Sequence, residues 1–175
     1  NYGATPIQDG TLQVRGGEEV SATYTPRAPG VPSDPIVDTT YTNDGSAGKL
    51  TIAGENGLKL TNFNAGDTLY IKLEDFDLNL NTFAIDTVDI WVVGDAIARG
   101  KTVTLNETGE NTGIFEASVE TRYGRGTFDG RNILEVVGGE QIMAVYMDVL
   151  DNLGETDVRV VDSCRANMLG TASFA

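Results

Sequence analysis

The sequence contains no histidine, and its only cysteine is Cys164. Without imidazole there is no Ser-His-Asp triad, no His-based proton shuttle and no His-ligated zinc. One cysteine excludes an internal disulfide framework. No apolar run reaches the roughly 20 residues that a membrane helix needs, so no helical membrane span is expected. Basic residues are scarce, 12 against 26 acidic, and the net charge of −14 argues against nucleic-acid binding. Aromatic residues make up only 7% and fall mostly at core-like strand positions, which disfavours a sugar-stacking face. Four of the five prolines lie between residues 26 and 35, so the rest of the chain is nearly proline-free. The chain starts at Asn1 and not at Met, which leaves open a removed leader or an excised piece.

What is abundant is glycine, 21 residues, together with Thr, Val and Asp. That composition favours short strands and many turns. Period-two alternation marks strands over 49–53, 58–63, 67–75, 85–93, 101–107, 113–121 and 156–163. No segment shows a helical period. The expected fold is all-β, a sandwich of short strands.

One stretch is written twice. TLQVRGGEEVSATYT at 11–25 and ILEVVGGEQIMAVYM at 133–147 share Leu, Val, Gly-Gly-Glu, Ala and Tyr at equal offsets. Each reads as a hairpin turning at its Gly-Gly pair. After the first copy comes TPRAPGVPSDP, which fixed φ angles and missing N–H donors make an extended linker. Three parts follow: a hairpin and linker over 1–35, a sandwich over 36–163, and a tail or extra strand over 164–175.

AGDTLYIKLEDFDLNLN at 65–81, VTLNETGENTGIFEASV at 103–119 and ILEVVGGEQIMAVYMD at 133–148 together carry a resemblance. They resemble the immunoglobulin-like repeats of bacterial and archaeal surface-layer, adhesin and filament proteins. The matching motifs are Gly66-Asp67-Thr68, the loop from Asp75 to Asn79, the turn from Glu107 to Phe115, and Tyr146-Met147-Asp148. The resemblance implies an immunoglobulin-like sandwich and an extracellular or cell-surface location.

The strongest chemical signal is EDFDLNLN. Asp75, Asp77 and Asn79 recur at alternate positions just beyond a strand, and oxygen donors so spaced converge if the chain curls. Calcium takes six to eight such oxygens. In an immunoglobulin-like topology Asp148 and Asp151, ending a later strand, share that pole and complete the set. An extra strand at 134–136 reverses this parity unless the connection before it crosses over. The competing interpretation is a set of Asx turns in a solvated loop. In NETGENTGIF, Gly109 and Gly113 are expected to supply positive φ, and Phe115 to enter the core.

Two functions stand ahead of others. In one, the chain is the subunit of an extracellular filament. Its N-terminal hairpin is donated to another copy's sheet through Leu12, Val14, Val20, Ala22 and Tyr24, and calcium stiffens the domain. In the other, it is one module of a tandem surface adhesin or stalk, and the hairpin is the end of the preceding repeat. A carbohydrate-binding accessory module ranks below both, and no catalytic residues are expected.

Overall fold

The computed structural model describes Leu12, Val14 and residues 17–26, 34–42, 45–95, 100–124 and 133–168. Eleven strands appear in them. They are β1 (Glu19–Tyr24), β2 (Ile36–Tyr41), β3 (Lys49–Ala53), β4 (Asn62–Phe63), β5 (Thr68–Glu74), β6 (Thr87–Gly94), β7 (Lys101–Glu107), β8 (Ile114–Tyr123), β9 (Ile133–Val136), β10 (Gln141–Asp148) and β11 (Val158–Ala166). The only helical piece among the described residues is a single 3-10 turn, Phe76–Leu78.

Strands β3 to β11 form one curled sheet in the order β3-β5-β8-β7-β6-β10-β11-β4, with β9 also beside β8. The curl falls between β7 and β8, which share only the pairs Asn106↔Glu116 and Glu107↔Phe115. There the sheet turns over on itself. Its two layers enclose a core of Leu69, Ile71, Leu73, Ile90, Val92, Leu105, Phe115, Leu134, Ile142 and their neighbours. Alternation explains it: on β5, Leu69, Ile71 and Leu73 point inward while Tyr70 and Lys72 do not. This is the all-β, sandwich-like arrangement that the sequence predicts.

The hairpins differ from the expectation. Most of the arm expected before the Gly-Gly pair, and Gly16 itself, lie outside the described residues; Leu12 and Val14 are described and neither lies in a strand. Instead β1 pairs with β2, Glu19↔Tyr41 through Tyr24↔Ile36, so the proline-rich segment connects the two strands of the hairpin. The boundary expected in that segment therefore falls inside a ladder, and β2 belongs with β1 in a separate two-stranded sheet. The second copy is no hairpin either. β9 pairs with β8 in one layer and β10 with β6 and β11 in the other, so Gly138 and Gly139 carry the chain between layers. Both halves still alternate, which is why the sequence pattern looks the same: Leu134, Val136, Ile142, Ala144 and Tyr146 are all buried.

At the other end, β11 runs through Cys164 to Ala166, past the start of the expected tail, because both continue its inward alternation. Burial pushes the Cys164 thiol up to about 12. Among the described residues, no helix is long and apolar enough to cross a membrane.

Candidate functional site

Strand parity decides whether the acidic residues meet. β9 runs parallel to β8, and a parallel pair needs a crossover connection between its strands. The extra strand therefore leaves the direction of β10 unchanged. β5 and β10 end at the same pole, delivering Asp75 and Asp148 there. The chain between hairpin and sandwich passes through this pole at Gly45 to Gly48. Gly45 lies so close to the carbonyls of Leu150 and Asp151 that a Cβ has no room.

Asp75 is buried and fully engaged. Its Oδ1 accepts from Ser46 Oγ at 2.9 Å and from Asp77 N–H at 3.1 Å. Its Oδ2 accepts from Tyr146 Oη at 2.7 Å. Asp77 is exposed, and its Oδ2 accepts from Ser46 N–H at 2.7 Å. Asp148 accepts from Gly48 N–H at 2.8 Å and from Leu150 N–H at 3.1 Å. Asp151 Oδ1 accepts from Leu153 and Glu155 N–H, both at 2.8 Å. The carboxylates thus tie three loops together through main-chain donors. Burial raises the Asp148 carboxyl above its usual range, and the charges of Asp75 and Asp151 add to this against the pull of its two N–H donors. The Tyr146 hydroxyl is raised for the same first reason, and the Asp75 carboxylate reinforces it.

Asn79 stands apart. Its Nδ2 donates to Asn111 Oδ1 at 2.5 Å, while its Oδ1 is buried without a hydrogen-bond partner. The five predicted cation ligands therefore occupy one pole. Among the described residues, however, no three Asp, Glu or Cys side chains converge as a ready ligand group. Ser46 and Tyr146 belong to the same network; Ser46 carries no sequence signal, and Tyr146 is marked by its motif and by the repeated stretch but not as a partner of Asp75.

The adjoining turn is held by a carboxylate. Glu107 is buried and accepts from Thr112 N–H at 2.7 Å, Gly113 N–H at 2.8 Å and Asp86 N–H at 3.2 Å. Burial pushes its carboxyl up, but these donors outweigh burial and hold it below the usual range. Gly113 adopts φ +61°, as expected of it, and packs under Phe76, whereas Gly109 does not take the positive φ expected of it. Phe115 enters the core.

The predicted donor residues lie outside the sandwich. Leu12, Ala22 and Tyr24 are exposed, and Val14 and Val20 are half-buried. Their counterparts in the second copy are Leu134, Val136, Ile142, Ala144 and Tyr146, all of them core residues. Tyr24 is 65% exposed where Tyr146 is 4%.

A third feature escaped the sequence reading. Asp162 points inward from β11 and is buried; it accepts from Ile52 N–H at 2.8 Å and from Lys59 Nζ at 2.5 Å. Its signal was available, because it takes the apolar place in the series Val158, Val160, Asp162, Cys164. Lys49 and Lys72 likewise meet a carboxylate, that of Glu74.

No protein-family model matches the chain, and no curated protein matches it in sequence.

Proposed function

We propose that the protein is a structural subunit of an extracellular filament that assembles head to tail by donating its N-terminal hairpin. One observation carries this reading. The first copy of the repeated stretch bears the apolar pattern that fills the core in the second, yet in the first copy Leu12, Ala22 and Tyr24 are exposed. A two-stranded ribbon alone is marginal in water. Exposed apolar strands with open edges gain most by joining another sheet. Donation in one direction does not close on itself, so it produces a fibre.

The resemblance to surface and filament repeats supports the same reading, and with it an immunoglobulin-like membership and a cell-surface location. Calcium at the acidic pole is part of the proposal, supported by the Asp75, Asp77, Asn79, Asp148 and Asp151 oxygens and by the unpartnered Asn79 Oδ1.

Negative-stain microscopy of the purified chain, with and without residues 1–30, tests the assembly. Fibres that require those residues are expected. Monodisperse particles in both samples favour the tandem-repeat alternative, in which the hairpin is only the end of a preceding module.

A further inference from the structure

Among the described residues, β11 leaves most of one edge unpaired. Arg165 N–H donates to Thr61 O at 3.0 Å and Asn167 N–H to Phe63 O at 2.7 Å, so these odd-numbered residues face away from β10. Alternation along the ladder turns the N–H and C=O groups of Arg159, Val161 and Ser163 the same way. β4 pairs only with Arg165 and Ala166; β3 approaches the inner side of β11, where Ile52 N–H meets the Asp162 carboxylate, but among the described residues no strand is hydrogen-bonded to the remainder of this edge. The other candidate edges are taken or short. Gly48, just before β3, and Ile52 within it give their N–H groups to the Asp148 and Asp162 carboxylates, which stand where a strand would. β9 offers four residues.

The outer face beside the β11 edge is apolar. Trp91, Val145 and Val161 stand directly across from one another on β6, β10 and β11. Trp91 is 53% exposed and Val161 38%, and Met147 is exposed on the same face. This row stops at the free edge. Arg159 and Arg165, both exposed, share the face in a chain where cations are scarce.

The hairpin carries the complement. β1 and β2 have six residues each, and β11 leaves about that length unpaired. Val20, Ala22 and Tyr24 share one face with Ile36 across the ladder. Glu18 and Asp38 lie on that face too, and the described part of the hairpin contains no basic residue. Apolar and acidic positions thus confront apolar and basic ones.

We infer that the hairpin of one copy pairs its β1 along the free edge of β11 in a second copy. Its Val20-Ala22-Tyr24 face then continues the Trp91-Val145-Val161 row. This rests on the strand-donation reading above and adds which edge receives the strand. New main-chain hydrogen bonds supply the affinity, and the apolar row and the two arginines select the face.

Disulfide trapping in the full chain tests it. Cys164 stays in place, since its buried, high-pKa thiol is unreactive. The double variant Ala22→Cys/Val161→Cys is compared with Ala22→Cys/Glu135→Cys and with each single variant. After mild oxidation, the first is expected to give a ladder of covalent oligomers on a non-reducing gel that collapses with reductant. The single variants reach dimers at most, and the Glu135 pair gives no ladder. Fibres by microscopy without a ladder from the Val161 pair overturn the edge assignment and leave the filament reading standing. An intrachain bond, seen as a faster-migrating monomer, overturns the second copy as occupant. Absence of fibres from the unmodified chain removes the filament reading itself, and this assignment with it.

Discussion

Tyr146 donates a 2.7 Å hydrogen bond from its hydroxyl to Oδ2 of Asp75, joining the end of β10 to the loop after β5 across 71 positions of sequence. Both side chains are buried, so the bond spans a region from which water is excluded. Tyr146→Phe keeps the ring in the core and removes only the donor. It leaves Asp75 with two donors and one unmet carboxylate oxygen. The expected loss is about 2 kcal/mol, because a buried charged acceptor loses its partner. Chemical denaturation should show a lower midpoint at an unchanged slope.

Two carboxylates at this end of the sandwich respond to pH with opposite signs. Glu107 is held below its usual range in the folded state. Its contribution is therefore present above the unfolded value, about 4.3, and is lost as pH falls through the lower folded value. Asp148 is raised in the folded state. Its ionisation opposes folding, and the penalty develops as pH rises from about 4 through the higher folded value. Melting curves of the parent, Glu107→Gln and Asp148→Asn across pH 3 to 7 check this. The deficit of Glu107→Gln relative to the parent should shrink toward acid pH. The deficit of Asp148→Asn should grow toward acid pH. A pH-independent difference in either variant contradicts the assigned shift.

Gly113 combines a left-handed backbone, φ +61°, with a Cβ position 2.8 Å from the Cα of Phe76. Asp75 also donates its N–H to the Gly113 carbonyl at 2.9 Å, so displacement here reaches the acidic pole. Gly113→Ala should lose at least about 2 kcal/mol, from the left-handed strain and the overlap with main chain that cannot yield. Thermal unfolding reads it, and a loss well under 1 kcal/mol would show that the turn relaxes freely.

The proposed calcium binding stabilises the folded chain by mass action. Titration calorimetry should show heat, and the melting temperature should rise with calcium and stay still in Asp77→Ala. Asp77 suits this test because it is exposed and the parent fold depends on it less than on Asp75. No heat and no melting shift in the parent would remove calcium from the account and leave the strand-donation proposal untouched.

The strands were legible because burial on one side imprints a period of two, and that period survives in Leu69-Ile71-Leu73 and in Ile142-Ala144-Tyr146. The glycine turn at Gly113 was legible for an equally local reason, a backbone angle that side chains resist. The gathering of Asp75, Asp77, Asn79, Asp148 and Asp151 at one pole was an expectation conditional on topology. Their actual partners, Ser46, Gly48 and Tyr146, were invisible, since hydrogen bonds across the fold leave no spacing in the chain.

The twice-written stretch marks the limit most clearly. By itself the sequence determined that both copies alternate and that both present Leu, Val, Ala and Tyr on one side, because alternation is a property of an extended backbone. Only the tertiary structure decided where each face goes. In the second copy Gly138 and Gly139 carry the chain from one layer to the other, and the face closes the core. In the first, β1 takes β2 as its partner across the proline segment, and the same face is left outside. Pairing partners are chosen among all strands at once, by which combination buries the most apolar surface and satisfies the most main-chain groups, and no local pattern encodes that choice.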